Sequence, residues 1–234
     1  MIPTATPETN TRRADPGSHR IALVLAGIIV LVAGLTLGFV VTAIGATRTG
    51  ELDIDVAIAH HRSGALTTLA MLINVACGTL VAPLVLLAAC GILWTRSRSA
   101  ALALGGLTIV GWLSVEIGKA VVHRPRPPAA AVHALVAETA ADSYPSGHTA
   151  FAAATVFAVV AALVLTGRRT RLAWLIGLPV VAAVGVSRLY LGVHYLTDVV
   201  ASVLFAGASV LLAAVVARPF LLRFHDGESR RSRE

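Results

Sequence analysis

Six long apolar runs, at 21–46, 67–94, 100–122, 147–166, 172–191 and 198–217, leave this 234-residue chain little choice of fold. About 20 apolar residues in helical form cross a bilayer. The runs take up most of the chain, charged residues make up only 13%, and the mean hydropathy is +0.81. A spanning backbone must satisfy its own hydrogen bonds, and nothing here alternates like a barrel strand. The expectation is therefore an all-α polytopic membrane protein, with six transmembrane helices in one bundle and no room for a separate soluble domain. Residues 1–20 and 218–234 are polar tails with the composition of disordered segments, flanking a membrane domain at 21–217. The first apolar run, of about 26 residues, exceeds the 7–15 residues of a signal-peptide core and reads as a retained helix. Cys77 and Cys90 both fall within the second run and read as small buried side chains.

The net charge of +7 raises the question of nucleic acid, and its distribution answers it. Arg12, Arg13 and Arg20 precede the first run, and Arg96 and Arg98 lie in the turn after the second. Arg168, Arg169 and Arg171 lie in the turn after the fourth, and Arg218, Arg223, Arg230, Arg231 and Arg233 follow the sixth. All of these fall on one side of a six-span layout, as the positive-inside rule requires of cytoplasmic segments. Both termini are thus expected in the cytoplasm and the protein in the plasma membrane. Trp94 and Trp174 flank the same basic turns, where an interfacial belt would put them. The arginines are topology signals, and no nucleic-acid partner is expected.

The other six basic residues, Arg48, Arg62, Lys119, Arg124, Arg126 and Arg188, map to the opposite face, as do His60, His61, His123, His133, His148 and His194. Positive charge that breaks the topology rule points to an anionic ligand. In KAVVHRPRP, residues 119–127, the chain's single lysine and Arg126 offer a compact charge and a planar fork, both suited to phosphate. Taken alone, Lys119 reads more simply as snorkelling at a helix end beside Glu116. In YPSGHTAF, residues 144–151, Ser146 is placed as an N-cap and Gly147 lets a ligand approach the backbone. The first amides of that helix form an anion site beside His148, although the pattern alone is also that of an ordinary cap. In SRLYLGVHYLTD, residues 187–198, His194 and Asp198 share a helix face. A carboxylate on one ring nitrogen leaves the other free to attack, with Arg188 nearby. This too is, on its own, the pattern of a structural pair. Together the three stretches bring cations, two histidines, a helix start and an orienting aspartate to one membrane face.

Lys119 with Arg126-Pro127, Pro145-Ser146-Gly147-His148, and Ser187-Arg188 with His194 and Asp198 resemble the three-part signature of the type-2 phosphatidic acid phosphatase superfamily. That superfamily contains integral-membrane lipid phosphate phosphatases and, with the same site, soluble vanadium haloperoxidases. The resemblance implies that His194 is the nucleophile, forming a phosphohistidine, and that Asp198 orients it. It implies that His148 protonates the leaving oxygen and then activates water. It assigns Lys119, Arg126, Arg188, Ser146 and Gly147 to holding the phosphoryl oxygens, the main demand of phosphoryl transfer.

The expected activity is hydrolysis of a lipid phosphate or pyrophosphate on the extracytoplasmic face. Undecaprenyl pyrophosphate, phosphatidic acid and phosphatidylglycerol phosphate all present a suitable terminal group. A lipid phosphotransferase using the same intermediate is one alternative. A non-enzymatic lipid-binding or translocating protein is another, although binding alone needs only the cations. No metal or other cofactor is expected, because the cations replace a metal's charge and clustered carboxylates are lacking. Adjacent His60 and His61 point apart and find no third ligand. The Ala-rich stretch AAAVHALVAETA in the 123–145 loop has the composition of a short interfacial helix, and two readings stay open: it lines the approach of the lipid headgroup, or it is a passive connector.

Overall fold

The computed structural model describes residues 16–231. Residues 1–15, with Arg12, Arg13 and most of the expected N-terminal tail, and residues 232–234 lie outside the described residues. Nine helices form among them: α1 (Pro16–Ile44), α2 (Glu51–His60), α3 (Gly64–Ala76), α4 (Val81–Trp94), α5 (Arg98–Val122), α6 (Ala129–Val132), α7 (Gly147–Leu165), α8 (Arg171–Tyr190) and α9 (Leu196–Arg231). No strand occurs among the described residues beyond one isolated bridge between Pro125 and Asp142. The all-α expectation holds. Five helices are long and apolar enough to span a membrane, and a sixth span results if α3 and α4 are taken as one. Ile29, Leu72, Leu87, Ile92, Leu175 and Val216 lie exposed on the outer surface, the arrangement of a bundle whose solvent is lipid.

The second span departs from the single helix expected over 67–94. It breaks between Ala76 and Val81, and its halves meet at 63°. Pro83 explains the break: in a continuous helix its ring would clash with the carbonyl of Thr79, whereas in the first turn of α4 it costs nothing. The last helix also runs past the expected boundary at 217, to Arg231. The Ala-rich loop is helical only over Ala129–Val132.

Helices α5, α7 and α9 pack on one another at the centre; α1 lies against α9, α8 against α7 and α4 against α5. Close approach relies on small side chains. Ala150, Ala153, Ala154 and Ala158 of α7 are all buried. A Cβ on Gly111 of α5 would stand 2.7 Å from Val210 of α9 and 2.8 Å from Ala154 of α7. At one end of the bundle lie the turns carrying Arg96, Arg98, Arg168, Arg169 and Arg171. At the other meet the C-termini of α5 and α8, the N-termini of α7 and α9, and the short helices α2 and α6.

Candidate active site

His194 lies in the turn between α8 and α9 and is 2% exposed. Its two ring nitrogens face opposite electrostatic surroundings. Nε2 is 3.3 Å from Nη1 of Arg126. A guanidinium only donates, so Nε2 carries the lone pair and Nδ1 the proton. Nδ1 in turn stands 3.5 Å from Oδ2 of Asp198, within ion-pair reach but long for a hydrogen bond. Burial pushes the imidazole below its ordinary pKa against the pull of Asp198, and Arg126 and Arg188 push the same way. These effects favour the neutral ring.

Arg126 reaches this position because of how α5 ends. His123 adopts a left-handed conformation, φ 49°, which stops the helix. Pro125 and Pro127 keep the residues before them extended. The segment is pinned by Ser143, whose amide donates to the carbonyl of Arg124 at 2.7 Å. Arg126 then donates to the carbonyls of Ala140 at 2.7 Å and Val193 at 2.9 Å.

Arg188, at the end of α8, is fully buried and donates to the side chain of Asn74 and to the carboxylate of Glu138. The other oxygen of Glu138 lies 3.8 Å from Arg126. One carboxylate thus bridges the two arginines. Burial alone would raise the pKa of Glu138, but Arg188 and Arg126, with His194 and His148, hold it below the ordinary range. His148, in the first turn of α7, places Nε2 3.2 Å from the carbonyl of Asn74. That carbonyl is available because α3 breaks: the amide of Gly78 bonds Val75 instead. The bend in the second span thus supplies a residue that both His148 and Arg188 touch.

Ser146 is the N-cap of α7, but its hydroxyl accepts from Thr149 at 3.2 Å and caps no amide. Its backbone joins the start of α9, with its amide 3.4 Å from the Asp198 carbonyl and its carbonyl 2.9 Å from Ser202 Oγ. Gly147 is open, a Cβ there meeting only Trp112 Nε1 at 4.0 Å. Ser187 turns its hydroxyl back to Val184 at 2.6 Å. Lys119 stands apart from this group. Its ammonium pairs with Glu116 at 2.9 Å and has no other polar partner among the described residues.

Sequence reasoning assigned no role to five residues found here. Asn74 comes from a segment without a motif, and Glu138 from the Ala-rich stretch, which reads as an approach to the site or a connector and not as a source of a charged partner. Arg124, Glu51 and Asp55 form a second buried cluster behind Asp198. Of these only Arg124 carried a signal, a second arginine in the same proline-bounded stretch as Arg126.

In fold the chain is similar to the crystal structure of a transmembrane PAP2-type phosphatidylglycerolphosphate phosphatase from Bacillus subtilis. The match has a TM-score of 0.63 and 20% identity, and covers 85% of this chain and 94% of that one. No curated protein matches the sequence. The model of the PAP2 superfamily matches residues 99–221, from the start of α5 to the apolar part of α9, and takes in all three motifs. With more than half its length matched, the chain belongs to the PAP2 superfamily.

Proposed function

We propose that this protein is a membrane lipid phosphate phosphatase acting through a phosphohistidine on His194. The observation that carries this reading is the carboxylate of Glu138 held between Arg188 and Arg126, with the lone pair of His194 Nε2 beside Arg126. A site that binds one oxyanion there has the charge and donors for the terminal phosphoryl group of a substrate, which would replace Glu138. Nε2 attacks phosphorus as the bond to the leaving oxygen breaks, and His148 gives that oxygen its proton. Water then attacks the phosphohistidine while His148 takes the water's proton, which frees Nε2 and releases phosphate. Asp198 steadies the ring while it carries the extra charge. Arg126, Arg188, Ser146 and the Gly147 amide hold the phosphoryl oxygens, and Lys119 joins them once it leaves Glu116.

The arginine-bearing turns lie at the opposite end of the bundle from His194. The positive-inside rule then supports cytoplasmic termini and a site open to the extracytoplasmic side of the plasma membrane. The chemistry needs neither a metal nor another cofactor, since two guanidinium groups supply the charge.

The test is phosphate release from a panel of purified lipid phosphates in detergent: phosphatidic acid, phosphatidylglycerol phosphate and undecaprenyl pyrophosphate. His194→Ala is expected to abolish turnover and to leave no acid-labile phosphoprotein, and a chelator to leave the unmodified protein active. Full activity in His194→Ala would end the mechanism.

A further inference from the structure

We infer that Arg124, braced by Glu51 of α2, is the positioning residue that holds Asp198 against His194. The inference rests on the reading of His194 and Asp198 as the nucleophilic pair.

Asp198 has two oxygens with separate duties. Oδ2 faces His194 and accepts the amide of Tyr195 at 2.9 Å. Oδ1 is held by Nη1 of Arg124 at 2.7 Å, and the same nitrogen donates to Thr197 Oγ1 at 2.6 Å. The other arm, Nη2, donates to Oε2 of Glu51 at 2.6 Å. Glu51 uses Oε1 to accept both the amide and the hydroxyl of Thr197, at 2.8 and 2.7 Å. The amide of Thr197 is one of those that the first turn of a helix leaves without an intrahelical partner. Glu51 therefore caps α9 from a neighbouring helix while it anchors the arginine. The guanidinium also lies over the ring of Tyr195, 4.3 Å from its centroid. Arg124 is 2% exposed and Asp198 0%, so water does not compete for these contacts.

Arginine suits this position for a physical reason. Its rigid fork meets two carboxylates and a hydroxyl at once and stacks on an aromatic face, none of which an ammonium does together. Fixing Oδ1 leaves one free orientation for Oδ2 and hence for the imidazole. Among the described residues Arg124 bonds Thr197, Asp198 and Glu51 and not Glu138 or the arginines it bridges, so its loss should slow the chemical step without weakening binding. Glu51 lies outside residues 99–221, so the brace extends the site onto α2.

The experiment compares Arg124→Gln, Arg124→Lys and the double variant Glu51→Gln/Arg124→Gln, using the lipid panel above in detergent. A parallel readout is the ring ¹⁵N spectrum of histidine-labelled protein, with His194 assigned through His194→Ala. Arg124→Gln is expected to lower kcat by about 100-fold, the upper end of what losing an orienting partner costs, with KM unchanged. Its His194 ring should lose its single tautomer. Arg124→Lys should recover part of kcat. The double variant removes the carboxylate that Arg124 neutralises, so it carries the test if Arg124→Gln alone does not fold. It should remain as slow as Arg124→Gln, because Oδ1 still lacks its donor. Wild-type kcat in the double variant would mean that Arg124 only neutralises Glu51, and would overturn the proposal. So would an unchanged His194 tautomer in Arg124→Gln, or a loss confined to KM. If the unmodified protein releases no phosphate from any substrate, the hydrolase reading falls, and the His194 spectrum alone decides the brace.

Discussion

Asp55 offers a measurement that tests the electrostatics of the buried cluster without any substrate. It sits on α2, is 1% exposed, and neither carboxyl oxygen has a hydrogen-bond partner among the described residues. Burial, then the nearby Asp198 and Glu51, push its pKa from the ordinary 3.8 to about 7, with Arg124 pulling the other way. The sign follows from proton counting. Between pH 4 and 7 the folded protein keeps a proton on Asp55 that the unfolded chain has lost, so stability falls as pH rises through this window and levels off above it. A rise from 3.8 to about 7 corresponds to about 4 kcal/mol, at roughly 1.4 kcal/mol per pH unit. Asp55→Asn keeps the shape and removes the titration. At pH 5, little more than one unit above the ordinary 3.8, the variant should be the more stable by only about 1–2 kcal/mol. At pH 8 it should be the more stable, by up to about 10 °C in Tm for a chain of this size. Thermal unfolding of both proteins in one detergent at the two pH values gives the comparison, and common effects of pH on the rest of the molecule cancel. A Tm difference between the two proteins that is the same at pH 5 and pH 8 would refute the reasoning.

Two further outcomes follow from distances. Glu138→Gln removes the carboxylate between Arg188 and Arg126, so inorganic phosphate should inhibit turnover about tenfold more tightly, in line with one charge-assisted pair. Unchanged inhibition would show that Glu138 and phosphate do not share a position. Gly111→Val places methyl groups where Val210 and Ala154 already stand and should cost about 1–3 kcal/mol, read as a lower Tm. An unaltered Tm would mean that α5 does not cross α7 and α9 that closely.

What was legible in the sequence was whatever rests on one segment at a time. Length and apolarity gave the spans, and i, i+4 spacing paired His194 with Asp198, which stand 3.5 Å apart although His194 lies in the turn before α9 and the two share no helix face. Pro83 was also in plain view, but an apolar window averages over it and reads 67–94 as one helix, so the bend that frees the Asn74 carbonyl stayed hidden. Lys119 shows the opposite limit. Its motif spacing relates it to phosphate, whereas its side chain here satisfies the nearer charge, Glu116, one turn away. Glu138 and Glu51 were illegible for a different reason. Each meets its arginine across a sequence separation that no local pattern encodes: 50 residues from Glu138 to Arg188 and 73 from Glu51 to Arg124.

Those two glutamates also explain how so much charge is tolerated around one buried imidazole. On the Nε2 side of His194 are two arginines, and a single carboxylate, Glu138, stands between them. On the Nδ1 side are the carboxyl groups of Asp198, Glu51 and Asp55, and a single guanidinium, Arg124, is set among them. Each cluster contains its own counter-charge, so neither is left as an isolated buried charge, whose cost would be severe. The two counter-charges differ in attachment. Arg124 is tied at both arms to Asp198, Thr197 and Glu51, whereas Glu138 sits on a loop and its carboxylate pairs, among the described residues, with the two arginines alone. In the proposed mechanism, an incoming phosphoryl group would therefore displace Glu138 while the opposite side stays fixed, so the site would open where the substrate is proposed to bind and hold firm behind His194.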